Sequence, residues 1–285
     1  MGRGAAVLAA FLESETFFNS EVDASTATHR VILILPFPRL FSAPADLQTG
    51  SATGPLPADK VREFFDQWEI YRKVVGADYL NHRGAYAAIG EVIARIAQPF
   101  SFLDLGAGDA SATASVLQDS KLQQYEAVDI SAVALSLAEK NMAGFSGGKK
   151  FICGDFFQQV KERRESCDVI FIGLSLHHLQ EADKGTFFSK VRGLIPAGGR
   201  LMFYEPIREC TESREEVLAR WWELARSWAL LDAGELQKVK EHVFGSDYPE
   251  PVEGYFAMAE RAGFRGTRVL FTDPDRLYAV FDCVV

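Results

Sequence analysis

A short segment with two glycines carries the residues best suited to hold a charged ligand. Residues 102–111 read FLDLGAGDAS, an apolar run with an acid, Asp104, followed by Gly106, Ala107 and Gly108. Glycine allows a backbone to approach a ligand closely, because it has no Cβ and tolerates positive φ. A carboxylate at Asp104 repels a pyrophosphate but suits a cationic amino acid. The segment therefore predicts a loop for a nucleotide cofactor whose near end is a positively charged amino acid.

Two more acids follow at the ends of apolar runs. Residues 125–131 read YEAVDIS, which predicts a second strand ending at Asp129 and Ile130. Asp129 lies about 25 residues after Asp104 in the sequence. In nucleotide-binding folds an acid at about this spacing can accept hydrogen bonds from both ribose hydroxyls. Residues 150–157 read KFICGDFF, a third strand with Asp155 at its tip. Alternatively, Asp129 caps a helix or lies in a solvated loop, and Asp155 is a turn residue.

These acids and glycines resemble a known cofactor site. The segment from Asp104 to Ala110 resembles motif I of the class I S-adenosylmethionine-dependent methyltransferases, D/E-x-G-x-G-x-G, with Ala110 in place of the third glycine. The resemblance implies S-adenosyl-L-methionine as the cofactor. It also implies that Asp155 meets the adenine amine and that Phe156 packs on the ring. In the same family N-terminal helices close over the cofactor, and of Tyr71, Tyr79 and His82 we expect Tyr79 to make the contact.

A nicotinamide-dependent oxidoreductase is the alternative within the enzymes. Its fingerprint, G-x-G-x-x-G/A, requires Gly or Ala at the sixth position, where Ser111 stands here. The end of the chain also disfavours it, since residues 266–271 and 276–284 predict a closing antiparallel hairpin typical of class I methyltransferases. A third interpretation is a methyltransferase-like module that binds the cofactor without turnover. The three acids argue against it.

Strands and helices alternate from residue 102 onward. This pattern predicts an α/β fold with a parallel sheet and right-handed crossovers. With the tail hairpin, the expected architecture is a seven-stranded, mostly parallel, doubly wound, Rossmann-like sheet. Ligands of such sheets bind at the carboxyl ends of the strands, where the three acids are expected.

The segment after the fourth strand is expected to face the methyl acceptor. Residues 174–179 read LSLHHL, and the D/N/S-P-P-Y/F motif of base and amide methyltransferases is absent. The pattern resembles the small-molecule methyltransferases, in which this loop borders both donor and acceptor, so Leu174 is assigned to the cofactor. His177 or His178 could take a proton from a hydroxyl or amine, because imidazole titrates near neutral pH. Alternatively, one ring caps a helix and the other fills the core.

Glu205 lies at the expected end of the fifth strand, before Pro206, in the same mouth of the sheet. It either binds an acceptor amine or pairs with Arg208. The catalytic candidates are therefore His177, His178 and Glu205. The predicted reaction moves a methyl group to an oxygen or nitrogen of a small molecule.

The chain divides into an extension and a catalytic domain. Residues 1–58 are rich in Ser, Thr, Ala, Pro and Gly and predict a disordered or weakly packed extension. Residues 59–285 form the expected methyltransferase domain. Within it, residues 207–248 predict a helical insertion with an aromatic stripe at helical spacing, which either packs or covers the acceptor pocket as a lid.

Composition excludes several classes of function. The chain has 285 residues and a net charge of −9 without a basic stripe, which disfavours nucleic acid as a partner. The apolar runs are too short to span a membrane. The 4 cysteines are scattered, with no Cys/His spacing typical of a metal site. We expect a reduced, metal-free, cytoplasmic enzyme, although targeting of the extension to an organelle stays open, and the oligomeric state is not predicted.

Overall fold

The computed structural model describes residues 69–285, and the predicted extension 1–58 lies outside them. The first described residues, 69–76, are helical. The helices that follow are α1 His82–Ile93, α2 Ser111–Leu117, α3 Ala132–Asn141, α4 Phe156–Glu162, α5 Glu181–Leu194, α6 Arg214–Ala225, α7 Ala233–Ser246 and α8 Val252–Ala262. The strands are β1 Phe100–Leu105, β2 Leu122–Asp129, β3 Gly148–Cys153, β4 Val169–Gly173, β5 Arg200–Arg208, β6 Glu250–Pro251, β7 Gly266–Thr272 and β8 Tyr278–Val284.

The strands form one mixed sheet in the order β3-β2-β1-β4-β5-β8-β7. The first five of these strands are parallel, and β8 runs antiparallel to both β5 and β7. The order reverses between β1 and β4, which is the switch point at which ligands bind in open α/β sheets. The predicted seven-stranded Rossmann-like architecture with a C-terminal antiparallel hairpin is confirmed, and the two-residue β6 adds a short pairing to β5.

Alternation along the strands divides the core between the two faces of the sheet. In β1, Phe102 belongs to one apolar cluster and Leu103 and Leu105 to the other. Helix α1 covers the first face with residues at helical spacing: Ala85, Ile89, Val92 and Ile93. Helix α5 covers the second face with Phe187, Phe188 and Val191, all fully buried. With both faces covered, the free access to the sheet is at the ends of its strands.

Strand β5 runs past the proline at which the sequence predicts its end. Pro206 pairs in register with Tyr278 of β8, and Glu205 pairs with Ala279. Proline removes one ladder donor, but the next residue, Ile207, donates its N–H to the Leu277 carbonyl at 2.8 Å. The strand therefore extends to Arg208, and Glu205 lies inside it rather than at its tip.

The insertion after β5 folds as two helices, in agreement with its apolar periodicity. Both helices begin with a capping box, Ser213 with Glu216 in α6 and Asp232 with Glu235 in α7. In each box two otherwise unpaired N–H groups are satisfied, which sets the first residue of the helix. None of the helices among residues 69–285 is both long and apolar enough to cross a membrane.

Candidate functional site

The glycine loop between β1 and α2 adopts left-handed backbone angles at three positions. Gly106 has φ +66°, Gly108 has φ +55°, and Ala110 has φ 53°. A Cβ at Gly106 would lie 2.3 Å from Oγ of Ser175, which follows β4, whereas a Cβ at Gly108 would meet nothing within 4 Å. At Gly106 the loop therefore packs closely against Ser175, whereas the space beside Gly108 is open. Ala110 adopts the conformation that glycine favours, at the position where motif I has glycine.

The carboxylate of Asp129 fixes this loop from the end of β2. Its Oδ2 accepts the N–H of Gly108 at 2.8 Å, and its Oδ1 accepts the N–H of Ser131 at 2.8 Å. Each carboxylate oxygen can accept a further hydrogen bond. Ser131 in turn accepts the N–H of Ala134 and caps α3. Asp129 therefore stands beside the glycines, as predicted, with acceptor capacity left for hydroxyl groups.

Asp104 lies beneath the loop and is 1% exposed. The Tyr125 hydroxyl donates to its Oδ2 at 2.8 Å. Burial raises the pKa of Asp104 to about 7, in opposition to the hydrogen bonds from Tyr125 and Thr113, and the charge of Asp129 adds to the increase. A buried acid with a raised pKa gains from a cation placed next to it.

Tyr71, not Tyr79, lies against these acids. The pKa of Tyr71 is raised by burial and then by the charges of Asp109, Asp129 and Asp104. The ring of Tyr79 instead stacks on Trp228 at 4.6 Å, and its hydroxyl accepts the N–H of Leu230 at 3.0 Å. Tyr79 thus joins the N-terminal helices to the insertion, and its assignment to the cofactor stays a prediction. Tyr71 is the residue of that set that faces the loop.

The remaining predicted cofactor residues have structural roles as well. Asp155 is exposed, and its Oδ1 accepts the N–H of Gln158, so it caps α4. Phe156 is 8% exposed and packs edge to face on Phe187, with ring centroids 6.2 Å apart. Ile130, Ala107 and Leu174 are half-buried around the mouth of the sheet, and Leu174 has φ 49°.

Glu205 holds the loop that follows β4. It is fully buried, and it accepts the backbone N–H groups of Ser175, Leu176 and His177 at 3.0, 2.8 and 3.1 Å. Its Oε2 also lies 2.6 Å from Nδ1 of His177. The predicted alternative in which Glu205 pairs with Arg208 is wrong, because Arg208 donates to the carbonyls of residues 209, 212 and 249 instead. Because Glu205 lies within β5, its side chain reaches beneath the loop that follows β4.

Three histidines and one acid meet beside this loop. The Oδ1 of Asp247 lies 3.6 Å from Nε2 of His177, 3.6 Å from Nδ1 of His178 and 3.9 Å from Nε2 of His242. His178 also has its Nδ1 3.2 Å from the Ser246 carbonyl. Sequence reasoning missed His242 and Asp247, because they lie more than 60 residues from the histidine pair along the chain and no local motif marks them.

The insertion bridges the N-terminal helices and this loop. At one end, Lys73 pairs with Glu235 at 2.7 Å, next to the stack of Tyr79 on Trp228. At the other end, Tyr248 donates its N–H to the His177 carbonyl at 2.9 Å. Part of the aromatic stripe packs inward, since the indole of Trp221 donates to the Tyr278 hydroxyl at 2.9 Å. The insertion is therefore anchored on both sides of the strand ends that carry the acids.

Comparisons with known proteins match the part of the chain that carries the glycine loop to methyltransferases. A family model described as a methyltransferase domain matches residues 103–201, from β1 into β5. An uncharacterised methyltransferase of Geobacillus kaustophilus (strain HTA426) is 30% identical over 149 residues. The match covers 50% of this chain and 66% of that protein, so the chain spans just under two thirds of the relative's length.

Two solved structures share the fold. A possible exported protein from Bordetella parapertussis superimposes with a TM-score of 0.53 and 18% identity, over 70% of this chain and 67% of the other. An O-methyltransferase family 2 protein from Planctomyces limnophilus DSM 3776, in complex with apigenin, superimposes with a TM-score of 0.52 and 13% identity. That likeness covers 76% of this chain and 61% of the other.

Proposed function

Because this chain belongs to the class I S-adenosylmethionine-dependent methyltransferase superfamily, we propose that it transfers a methyl group to an oxygen or nitrogen of a small molecule. The main support for this proposal is that Asp104 and Asp129 both lie at one glycine loop, at the switch point of the sheet. The O-methyltransferase family 2 protein from Planctomyces, which shares the fold, was solved in complex with a small molecule, apigenin. Activity, cofactor and acceptor are proposals for this chain.

The residues around the glycine loop fit S-adenosyl-L-methionine. When bound, it would supply a methyl group activated by its sulfonium, with the neutral thioether of S-adenosylhomocysteine as the leaving group. Asp129 offers its remaining acceptor positions to ribose hydroxyls while it holds the N–H of Gly108. Asp104, whose buried carboxyl has a raised pKa, offers negative charge to the cationic amino-acid end. Gly108 leaves open space for the ligand beside the backbone, and Tyr71 lies near the acids.

The acceptor is proposed to enter between the loop after β4 and the insertion. In-line displacement needs the acceptor, methyl group and sulfur held in line and water kept away. Such orientation can lower the activation barrier by on the order of 7–11 kcal/mol. The insertion serves as a lid anchored at Tyr79 and at His177. Catalytic roles of His177, His178 and Glu205 stay predictions, and the full burial of Glu205 favours a role in positioning the loop.

The test separates cofactor binding from turnover. In calorimetry we expect S-adenosylmethionine and S-adenosylhomocysteine to bind one per chain and NAD not to bind. A panel of hydroxyl and amine acceptors, assayed for S-adenosylhomocysteine release, then identifies turnover. Binding of NAD alone would show an oxidoreductase site. If S-adenosylmethionine and S-adenosylhomocysteine both bind tightly but no acceptor leads to S-adenosylhomocysteine release, a module that binds the cofactor without turnover is favoured.

A further inference from the structure

The Asp247 carboxyl group occupies an unusual position among the described residues. It is 8% exposed, and its Oδ1 is buried without a hydrogen-bond partner in the described part of the chain. Its nearest polar neighbours are ring nitrogens of His177, His178 and His242, at 3.6, 3.6 and 3.9 Å. These separations are too long for hydrogen bonds. A buried carboxylate oxygen without a partner is destabilising, because its lost hydration is not replaced.

The same separations suit atoms that share a metal ion. Divalent zinc binds histidine nitrogen at about 2.0–2.1 Å and carboxylate oxygen at about 2.0–2.2 Å. In a tetrahedral site, two ligand atoms at these distances lie about 3.3–3.5 Å apart. The ligand atoms of His177, His178 and Asp247 all lie within 4.8 Å of one another. The two distances from Asp247 to the ring nitrogens of His177 and His178, each 3.6 Å, exceed the tetrahedral spacing by only a few tenths of an ångström.

The surroundings of His177 are those of a metal-ligating imidazole. Its Nδ1 is 2.6 Å from Glu205, so the ring donates its proton there and turns the lone pair of Nε2 toward Asp247. A carboxylate behind a ligating histidine fixes the tautomer and raises the basicity of the ligand.

The charges near the cluster are compatible with a bound cation. Lys184 lies close by, but its ammonium is paired with Glu250 at 2.8 Å. Two carboxyl groups, Glu205 and Asp247, face the histidines.

We propose that this cluster binds one divalent transition-metal ion of the zinc type, through Nε2 of His177, Nδ1 of His178 and Oδ1 of Asp247. His242, the next ring nitrogen in range, is the fourth ligand after a small rotation of its side chain. Imidazole with one carboxylate selects zinc, cobalt, nickel or iron over magnesium and calcium. In this structure Nδ1 of His178 lies 3.2 Å from the Ser246 carbonyl, to which it donates when it carries the proton; in the bound form the ion replaces that proton.

The ion would fasten the insertion to the sheet. His177 and His178 belong to the loop after β4, whereas His242 lies in α7 and Asp247 directly follows it. The site thus crosslinks the insertion to the loop after β4. The inference goes beyond the proposed function and does not depend on it. It also replaces the predicted role of His177 and His178 as bases, because a ligated nitrogen takes no proton.

Cobalt and zinc ions test the site directly. The full chain, stripped with a chelator, is titrated with Co²⁺ and with Zn²⁺ by calorimetry and visible absorption. We expect one ion per chain, d–d bands of a four-coordinate site, displacement of Co²⁺ by Zn²⁺, and a higher melting temperature with metal. We expect Asp247→Asn and His178→Gln to weaken binding at least about 100-fold, since loss of an outer-shell partner already costs 10–100-fold.

Controls keep the outcome decisive. His82 is a buried histidine outside the cluster with an unpaired Nδ1, and we expect His82→Gln to bind Co²⁺ as the unsubstituted chain does. Failure of the unsubstituted chain to bind an ion at 1:1 stoichiometry would overturn the proposal whatever the variants do. Equal binding by a folded Asp247→Asn or His178→Gln chain, checked by melting, would overturn it as well. S-adenosylhomocysteine affinity, measured separately, reports on the proposed function alone.

Discussion

Tyr125 donates its phenolic hydrogen to Oδ2 of Asp104 at 2.8 Å, across two neighbouring parallel strands. Both residues are 1% exposed. The hydrogen bond lowers the pKa of Asp104, but burial raises it further, and the net result is a pKa of about 7 against an ordinary 3.8. The chain therefore keeps an acid at its glycine loop at a cost to its own stability.

This cost predicts a pH-dependent gain for Asp104→Asn. Between pH 3.8 and about 7 the folded chain binds more protons than the unfolded chain, so its free energy of unfolding falls as pH rises through that window. Asparagine carries no charge and still accepts the Tyr125 hydroxyl. At pH 8 we expect Asp104→Asn to raise the free energy of unfolding by about 2–4 kcal/mol, and below pH 4 to change it little. Urea unfolding across pH measures both; an equal effect at pH 4 and pH 8 would contradict the argument.

A second prediction concerns the ribose. Asp129→Ala removes the acceptor proposed for the ribose hydroxyls, and it also frees the N–H groups of Gly108 and Ser131. We expect S-adenosylhomocysteine to bind about 1.5–3 kcal/mol more weakly, as for hydrogen bonds to a charged group. Asp119→Ala, an exposed acid beyond α2, serves as the control and should bind normally. Unchanged affinity in a folded Asp129→Ala chain would mean that another residue holds the ribose.

The two glycines of the loop should respond differently to the same substitution. Gly106→Ala and Gly108→Ala both place a Cβ at positive φ, which costs about 1–2 kcal/mol each. Only Gly106→Ala also meets the side chain of Ser175, and overpacking adds about 1–3 kcal/mol. Thermal or urea unfolding should therefore rank Gly106→Ala as the less stable variant. Adding Ser175→Gly should recover part of the difference, and no recovery would show that the strain lies in the backbone alone.

The extension gives a fourth prediction. Its composition predicts that a chain beginning near Pro57 folds and binds S-adenosylhomocysteine like the full chain, because the domain starts after it. Calorimetry and melting of the two chains side by side provide the measurement. Loss of binding on shortening would mean that the first residues contribute to the cofactor site.

Much of the glycine loop and the acids around it could be predicted from local sequence. Each acid at a strand tip and each glycine of the loop is read within about 10 residues, and the parallel topology brings the strand ends together without further information. The closing hairpin was readable in the same way. What local patterns did not show is the second role of these residues: Asp155 caps α4, and Phe156 belongs to the core.

Only the tertiary structure shows how Glu205, the three histidines and Asp247 come together. Pro206 suggested a strand end, yet the pairing of β5 with β8 extends the strand and places Glu205 beneath the loop after β4. His242 and Asp247 reach His177 and His178 only because the insertion returns to the sheet at residues 246–251. Contacts between residues so distant in sequence depend on how two helices pack, and packing follows from the whole set of side chains rather than from any local spacing.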